Sequence, residues 1–160
     1  MPMKIIILFF LIVSGAVSSE SLIPNFPLTR LENGKVFAMH KELSLLEDDS
    51  LLVLNFTQSS CKPCKKEIPE LLSLSKLNPK MKLALVFIGD TDKDVTKTLK
   101  DLNVPQETTV LLDRLETCYD KLSFKGVPNT FIINKNKVIL SRLEGYNDEN
   151  MVKLRSLLKN

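Results

Sequence analysis

At 160 residues the chain has room for one ordinary domain and not for two comfortable ones. Its apolar fraction of 44% and charged fraction of 26% are those of a packed globular protein and exclude intrinsic disorder. The net charge is only +3, and the basic residues are scattered, with short pairs such as Lys65-Lys66; the dense basic stripe of a nucleic-acid binder is absent.

The first residues read as a targeting segment. Lys4 precedes an unbroken apolar run from Ile5 to Val13, Ser14 and Gly15 break it, and Ala16-Val17-Ser18 supplies small residues at a cleavage spacing. That order is a secretory signal peptide over residues 1–18, with the folded domain over 19–160. A retained membrane anchor is the weaker reading, because a spanning helix needs about 20 apolar residues. Beyond this segment lie Cys61, Cys64 and Cys118. An odd number cannot be fully paired within one molecule, which excludes a disulfide-dense scaffold.

Ser19 to Phe26 is an extended lead-in, held so by Pro24 and Pro27. Leu28–Leu31 and Lys35–Met39 flank Glu32-Asn33-Gly34, and Asn-Gly between two extended runs predicts a hairpin. Leu43–Leu46 reads as a short helical turn. Leu51–Phe56 is a nearly continuous apolar run, the pattern of a strand covered on both faces. A helix follows from Cys61 to about Lys76, with Pro69 expected to kink it. Lys82–Ile88 is a second buried strand, Asp92–Leu102 a helix, Thr108–Leu112 a third strand and Leu115–Phe124 a short helix. Thr130–Ile133 and Val138–Leu143 are two more strands, joined by a polar turn, and Asp148–Leu158 is a terminal helix. Strands alternating with helices make an α/β domain. Two last strands joined by a short link must be antiparallel, so the central sheet is mixed, with helices flanking it.

Cys61-Lys62-Pro63-Cys64 follows a buried strand and opens a helix. Helix N-termini carry unpaired N–H groups and a partial positive charge, which stabilise a thiolate. Cys61 is then the attacking sulfur and Cys64, a turn inward, closes the ring. Pro63 restricts the loop, and its missing N–H does no harm in a first turn. A structural zinc site is the first alternative, but it needs four ligands and only His40 and Cys118 remain to supply them. Covalent haem attachment wants a histidine where Lys65 stands. An inert bridge is a poor clamp, since it closes almost no loop. A redox dithiol fits best, and it requires neither metal nor cofactor.

Leu52-Val53-Leu54-Asn55-Phe56 followed by Cys61-Lys62-Pro63-Cys64-Lys65-Lys66-Glu67-Ile68-Pro69 resembles the thioredoxin superfamily, and most of all its exported TlpA/ResA type. Pro24-Asn25-Phe26 with Gly34 resembles that group's N-terminal hairpin. Val127-Pro128-Asn129-Thr130-Phe131-Ile132-Ile133 resembles its cis-proline segment and following strand, and Gly145 falls where the family has a glycine.

The resemblance implies a thioredoxin fold with an N-terminal hairpin and an extra helix–strand unit between Cys64 and Pro128. It implies an exported, periplasmic thiol-disulfide oxidoreductase with a Cys61–Cys64 redox disulfide, reducing protein disulfides in the manner of cytochrome c maturation. Pro128 is then cis beside the sulfurs, Val127 offers backbone groups to substrate, and Glu67 assists proton movement to Cys64. The implied partners are proteins with disulfides or thiols and a membrane electron donor; the oligomeric state stays open.

The chain departs from the family just before the first cysteine. Thr57-Gln58-Ser59-Ser60 stand where an aromatic residue, commonly tryptophan, is usual, and the chain has no tryptophan. That alters the contact surface for partners more than the sulfur chemistry. Lys62 either helps hold a thiolate or is simply solvated. Cys118 reads as a buried small hydrophobe rather than a third redox partner, and His40 as a surface residue. Two other functions fit the layout. A thiol peroxidase of peroxiredoxin-like type usually has threonine where Gln58 stands. A copper- or partner-binding module usually adds a distant histidine, and none follows Cys64.

Overall fold

A computed structural model describes residues 21–159. The signal-peptide reading of 1–18 lies outside the described residues. Among the described residues, seven strands and five helices follow in order: β1 (Leu28–Arg30), β2 (Val36–Phe37), α1 (Met39–Ser44), β3 (Leu51–Thr57), α2 (Lys62–Leu77) and β4 (Met81–Ile88). Then come α3 (Asp92–Asp101), β5 (Thr109–Asp113), α4 (Thr117–Leu122), β6 (Asn129–Asn134), β7 (Ile139–Glu144) and α5 (Asp148–Leu157). The strands form one sheet in the order β2-β1-β5-β4-β3-β6-β7. β3, β4 and β5 are parallel, while β1, β6 and β7 pair antiparallel to their neighbours. This is the mixed, helix-flanked sheet of the thioredoxin fold, with the hairpin and the extra helix–strand unit in their expected places.

The sheet is buried on both faces, which is why β3 and β4 read as apolar runs rather than alternations. Leu52, Leu54 and Phe56 point with Ala84, Val86 and Ile88 to one side, where Phe37, Met39, Leu43, Leu122 and Phe124 cover them. Val53, Leu83, Leu85 and Phe87 point to the other, beneath Ile68 and Leu71 of α2, Val95 of α3, and Met151 and Leu154 of α5. The period of two along each strand divides one hydrophobic segment between two cores.

Four elements differ from the sequence expectation. The helical turn placed at Leu43–Leu46 begins at Met39 instead, because Met39 and Leu43, four apart, both reach the core, whereas Leu45 is exposed. Lys35–Met39 therefore keeps only two residues of strand. The short helix starts at Thr117 rather than Leu115: the buried Asp113 carboxylate accepts from Thr117 N at 3.1 Å and Cys118 N at 2.8 Å and so fixes the first turn. Helix α2 runs through Pro69, which lies on its exposed face.

The lead-in is part of the sheet. Ile23 N donates to Lys137 O and Ile139 N to Ser21 O, both at 2.8 Å, so Ser21–Ile23 pairs with the start of β7. His40, expected at the surface, is half-buried with Nε2 3.0 Å from Ile23 O, joining α1 to this segment.

Candidate active site

Strand β3 leads directly to the sulfurs. After Thr57 the chain turns through Gln58–Ser60, braced against the neighbouring β4–α3 loop: Gln58 Nε2 donates to Ile88 O at 3.2 Å and Ser59 N to Asp90 Oδ2 at 2.7 Å. Cys61 N donates to Gln58 O at 3.1 Å, closing the turn. Cys61 is the N-cap of α2, in extended backbone conformation, and its Sγ accepts from Cys64 N at 3.2 Å. The sulfur thus stands where the first free N–H groups of a 16-residue helix converge, the setting that favours a thiolate in the reduced protein. Cys61 and Cys64 are joined as a disulfide, with their Cα atoms 5.3 Å apart. Cys61 is partly exposed and Cys64 fully buried, so a partner can reach only the first sulfur.

The second wall of the site comes from the far end of the chain. The Val127–Pro128 peptide is cis. Val127 O lies 3.8 Å from Cys61 Sγ. Pro128 O accepts from Gly145 N at 2.9 Å, and Gly145 takes the φ of +74° that favours glycine. Arg142 braces the same loop from β7. Its Nε donates to Asn129 Oδ1 at 3.2 Å, its Nη1 donates to Leu122 O and Ser123 O, and its guanidinium lies over the rings of Phe124 and Phe131.

Beneath the disulfide sits a carboxyl. Glu67 follows Cys64 by three residues, so both lie on the buried face of α2, one turn apart. Glu67 is 1% exposed. Asn55 Nδ2 donates to its Oε2 at 3.0 Å and Thr130 Oγ1 to its Oε1 at 3.2 Å. Burial pushes its pKa up to about 7, against these two hydrogen bonds, which pull the other way; the nearby Glu70 charge adds to the rise. A carboxyl that titrates near neutrality can take and return a proton at working pH.

The structure thus brings together Cys61, Cys64, Glu67, Val127 and Pro128, drawn from helix α2 and the loop before β6. Sequence reasoning assigned no part to Asn55 or Thr130. A signal existed: Asn55 interrupts the apolar run of β3, and a buried amide needs partners. Lys62 is exposed. Cys118 is fully buried on the far side of the sheet, in the cluster with Phe56 and Phe124, and its thiol is held neutral by burial and by the Asp113 carboxylate. Nothing in that setting makes it a third redox partner. Among the described residues no cluster of three or more His, Cys, Asp or Glu side chains is arranged to hold a metal ion.

Comparison with known proteins agrees with this arrangement. The AhpC/TSA family matches residues 20–142. The thiol-disulfide oxidoreductase ResA of Bacillus subtilis (strain 168) is 30% identical over 139 residues, spanning 86% of this chain and 73% of that one. A ResA of Bacillus cereus is 31% identical over 125 residues, spanning 76% of this chain and 67% of its own. Among solved structures, the thioredoxin domain of a thiol-disulfide oxidoreductase from Bacteroides vulgatus superimposes with a TM-score of 0.71 at 14% identity, over 89% of this chain and 99% of that one. The chain belongs to the AhpC/TSA family and is, within the thioredoxin fold, a ResA-like thiol-disulfide oxidoreductase.

Proposed function

We propose that the protein reduces disulfides in exported proteins, of the kind handled in cytochrome c maturation, with Cys61 as nucleophile, Cys64 as resolving thiol and Glu67 as proton carrier. One observation carries the reading: a half-exposed sulfur at a helix start lies against the Val127 carbonyl, with a buried carboxyl one turn behind its partner cysteine.

In the reduced protein the Cys61 thiolate attacks one sulfur of a substrate disulfide. A mixed disulfide forms and the other substrate sulfur leaves as a thiolate. Glu67 takes the proton from the Cys64 thiol. The Cys64 thiolate attacks Cys61 Sγ, forming the Cys61–Cys64 bond and releasing the second substrate thiolate. Two electrons pass to the substrate, and the proton waits on Glu67 until solvent or product accepts it. Substrate docks as an extended segment against the backbone at Val127, beside Pro128.

Each cycle ends oxidised, so a dithiol donor must reduce the pair again; a membrane-borne donor suits an exported, periplasmic protein. The signal-like sequence of residues 1–18 supports export. Among the described residues no helix is long and apolar enough to cross a membrane. The names of the Bacillus relatives support the reaction class.

The test is to express Cys64→Ala in cells and capture mixed disulfides. Exported proteins should be found joined through Cys61, and the absence of any adduct would overturn the reading. The direction is checked by the potential of the pair. A value near thioredoxin's, about −270 mV, supports reduction, and one near that of DsbA, about −120 mV, reverses it.

A further inference from the structure

Glu67 does not stand alone. Asn55 in β3 and Thr130 in β6 face each other in the antiparallel register, and both are fully buried. The Asn55 amide donates to Glu67 Oε2 at 3.0 Å and to Thr130 Oγ1 at 2.8 Å, while the Thr130 hydroxyl donates to Glu67 Oε1 at 3.2 Å. Three side chains from three elements therefore close a ring that places a neutral donor on each carboxyl oxygen. Asn55 Oδ1 is buried without a partner, so the amide accepts an unsatisfied oxygen in order to turn its two N–H groups into the ring.

The two neighbours differ in kind. An amide NH2 can only donate, so Asn55 favours the ionised carboxyl. Thr130 also donates here and so also favours the ionised carboxyl, but a hydroxyl can accept as well, so it can still receive a hydrogen bond from the protonated acid while no heavy atom moves. Thr130 also lies two residues after Pro128, which ties the carboxyl to the docking loop through one short stretch of β6. The charged and titratable groups around Glu67 come from α2, from the segment after β7 and from α5. They are Cys64 and Glu70 on its own helix, Tyr146, which hydrogen-bonds Glu70, and Arg155, paired with Glu70 at 3.0 Å. β3 and β6 contribute only the neutral pair.

We propose that Asn55 and Thr130 are positioning residues that act through Glu67: they hold its carboxyl in place behind Cys64, and the reversible Thr130 hydroxyl lets it gain and lose a proton without disturbing the core. This rests on Glu67 being the proton carrier of the preceding reading.

The test is a carbon-13 NMR titration of the Glu67 carboxyl in the oxidised protein, for the wild type, Thr130→Val, Thr130→Ser and Asn55→Leu. Thr130→Val keeps the shape and removes the hydroxyl. It should raise the Glu67 midpoint by about one pH unit, as should Asn55→Leu, and move the pH profile of disulfide reduction with it. Thr130→Ser should leave both near wild type. An unmoved midpoint in Thr130→Val overturns the proposal, as does a Ser variant that shifts as far as the Val variant. Failure of the underlying reading looks different: Glu67→Gln would then leave the titration and reactivity of Cys64 unchanged, whatever the ring does to Glu67.

Discussion

The carbonyl oxygen of Val127 and the sulfur of Cys61, 66 positions apart in sequence, lie 3.8 Å apart across the mouth of the site. In the proposed docking mode, a substrate strand paired with the Val127 backbone would be led past the reactive sulfur. Recognition through backbone tolerates changes of side chain, so Val127→Ala should alter exchange rates only a few-fold. Arg142→Ala removes the brace on the same loop. It should raise KM for a peptide disulfide several-fold with little change in kcat, and lower stability by about 1–2 kcal/mol in urea unfolding.

Cys64→Ser should abolish turnover of disulfide substrates while leaving a slow, stoichiometric reaction at Cys61. The same variant should not consume hydrogen peroxide rapidly. Stopped-flow measurement of both reactions checks this. Fast peroxide consumption that survives the substitution would instead favour peroxidase chemistry.

Glu67 makes stability depend on pH. Its pKa rises from 4.5 when exposed to about 7 in the folded protein, so between these values the folded state holds more proton than the unfolded one. Its contribution is fully present below about pH 4.5 and is lost as the pH climbs through 7, a fall of about 3 kcal/mol. Glu67→Gln should flatten this limb and make the variant the more stable protein at pH 8. Urea unfolding at a series of pH values between 4 and 9 gives the comparison.

Cys118 is sealed in the core with its thiol held neutral. Native reduced protein should therefore release two equivalents of coloured thiolate from a disulfide reagent, one when Cys61 attacks it and one when Cys64 resolves the mixed disulfide, and three after unfolding. Cys118→Ala should leave disulfide exchange unchanged and cost about 1–2 kcal/mol through the small cavity it opens.

The parts legible in the sequence were those fixed by local pattern. The apolar runs of β3 and β4, the Asn33-Gly34 turn, the helix opening at Cys61 and the Val127-Pro128 segment all announce themselves within a few residues. The burial of Glu67 does not. A glutamate in the second turn of a helix is ordinarily a solvated surface residue, and only its contacts with Asn55 and Thr130, which are 75 positions apart, make it a buried one. The short helix near Met39 was misplaced for a related reason. Its start is set by which residues reach a core built from distant strands, and Met39 looks like the end of the preceding strand until that core exists.

The pairing of Ser21–Ile23 with Lys137–Ile139 anchors the start of the described chain to the sheet. That pairing lies beside the β6–β7 turn, at the pole of the sheet opposite the one where β3 delivers Cys61. Ser21 thus lies at the end of the sheet away from the sulfurs. An N-terminal attachment, to a surface or to another protein, should therefore be tolerated without shading the catalytic end.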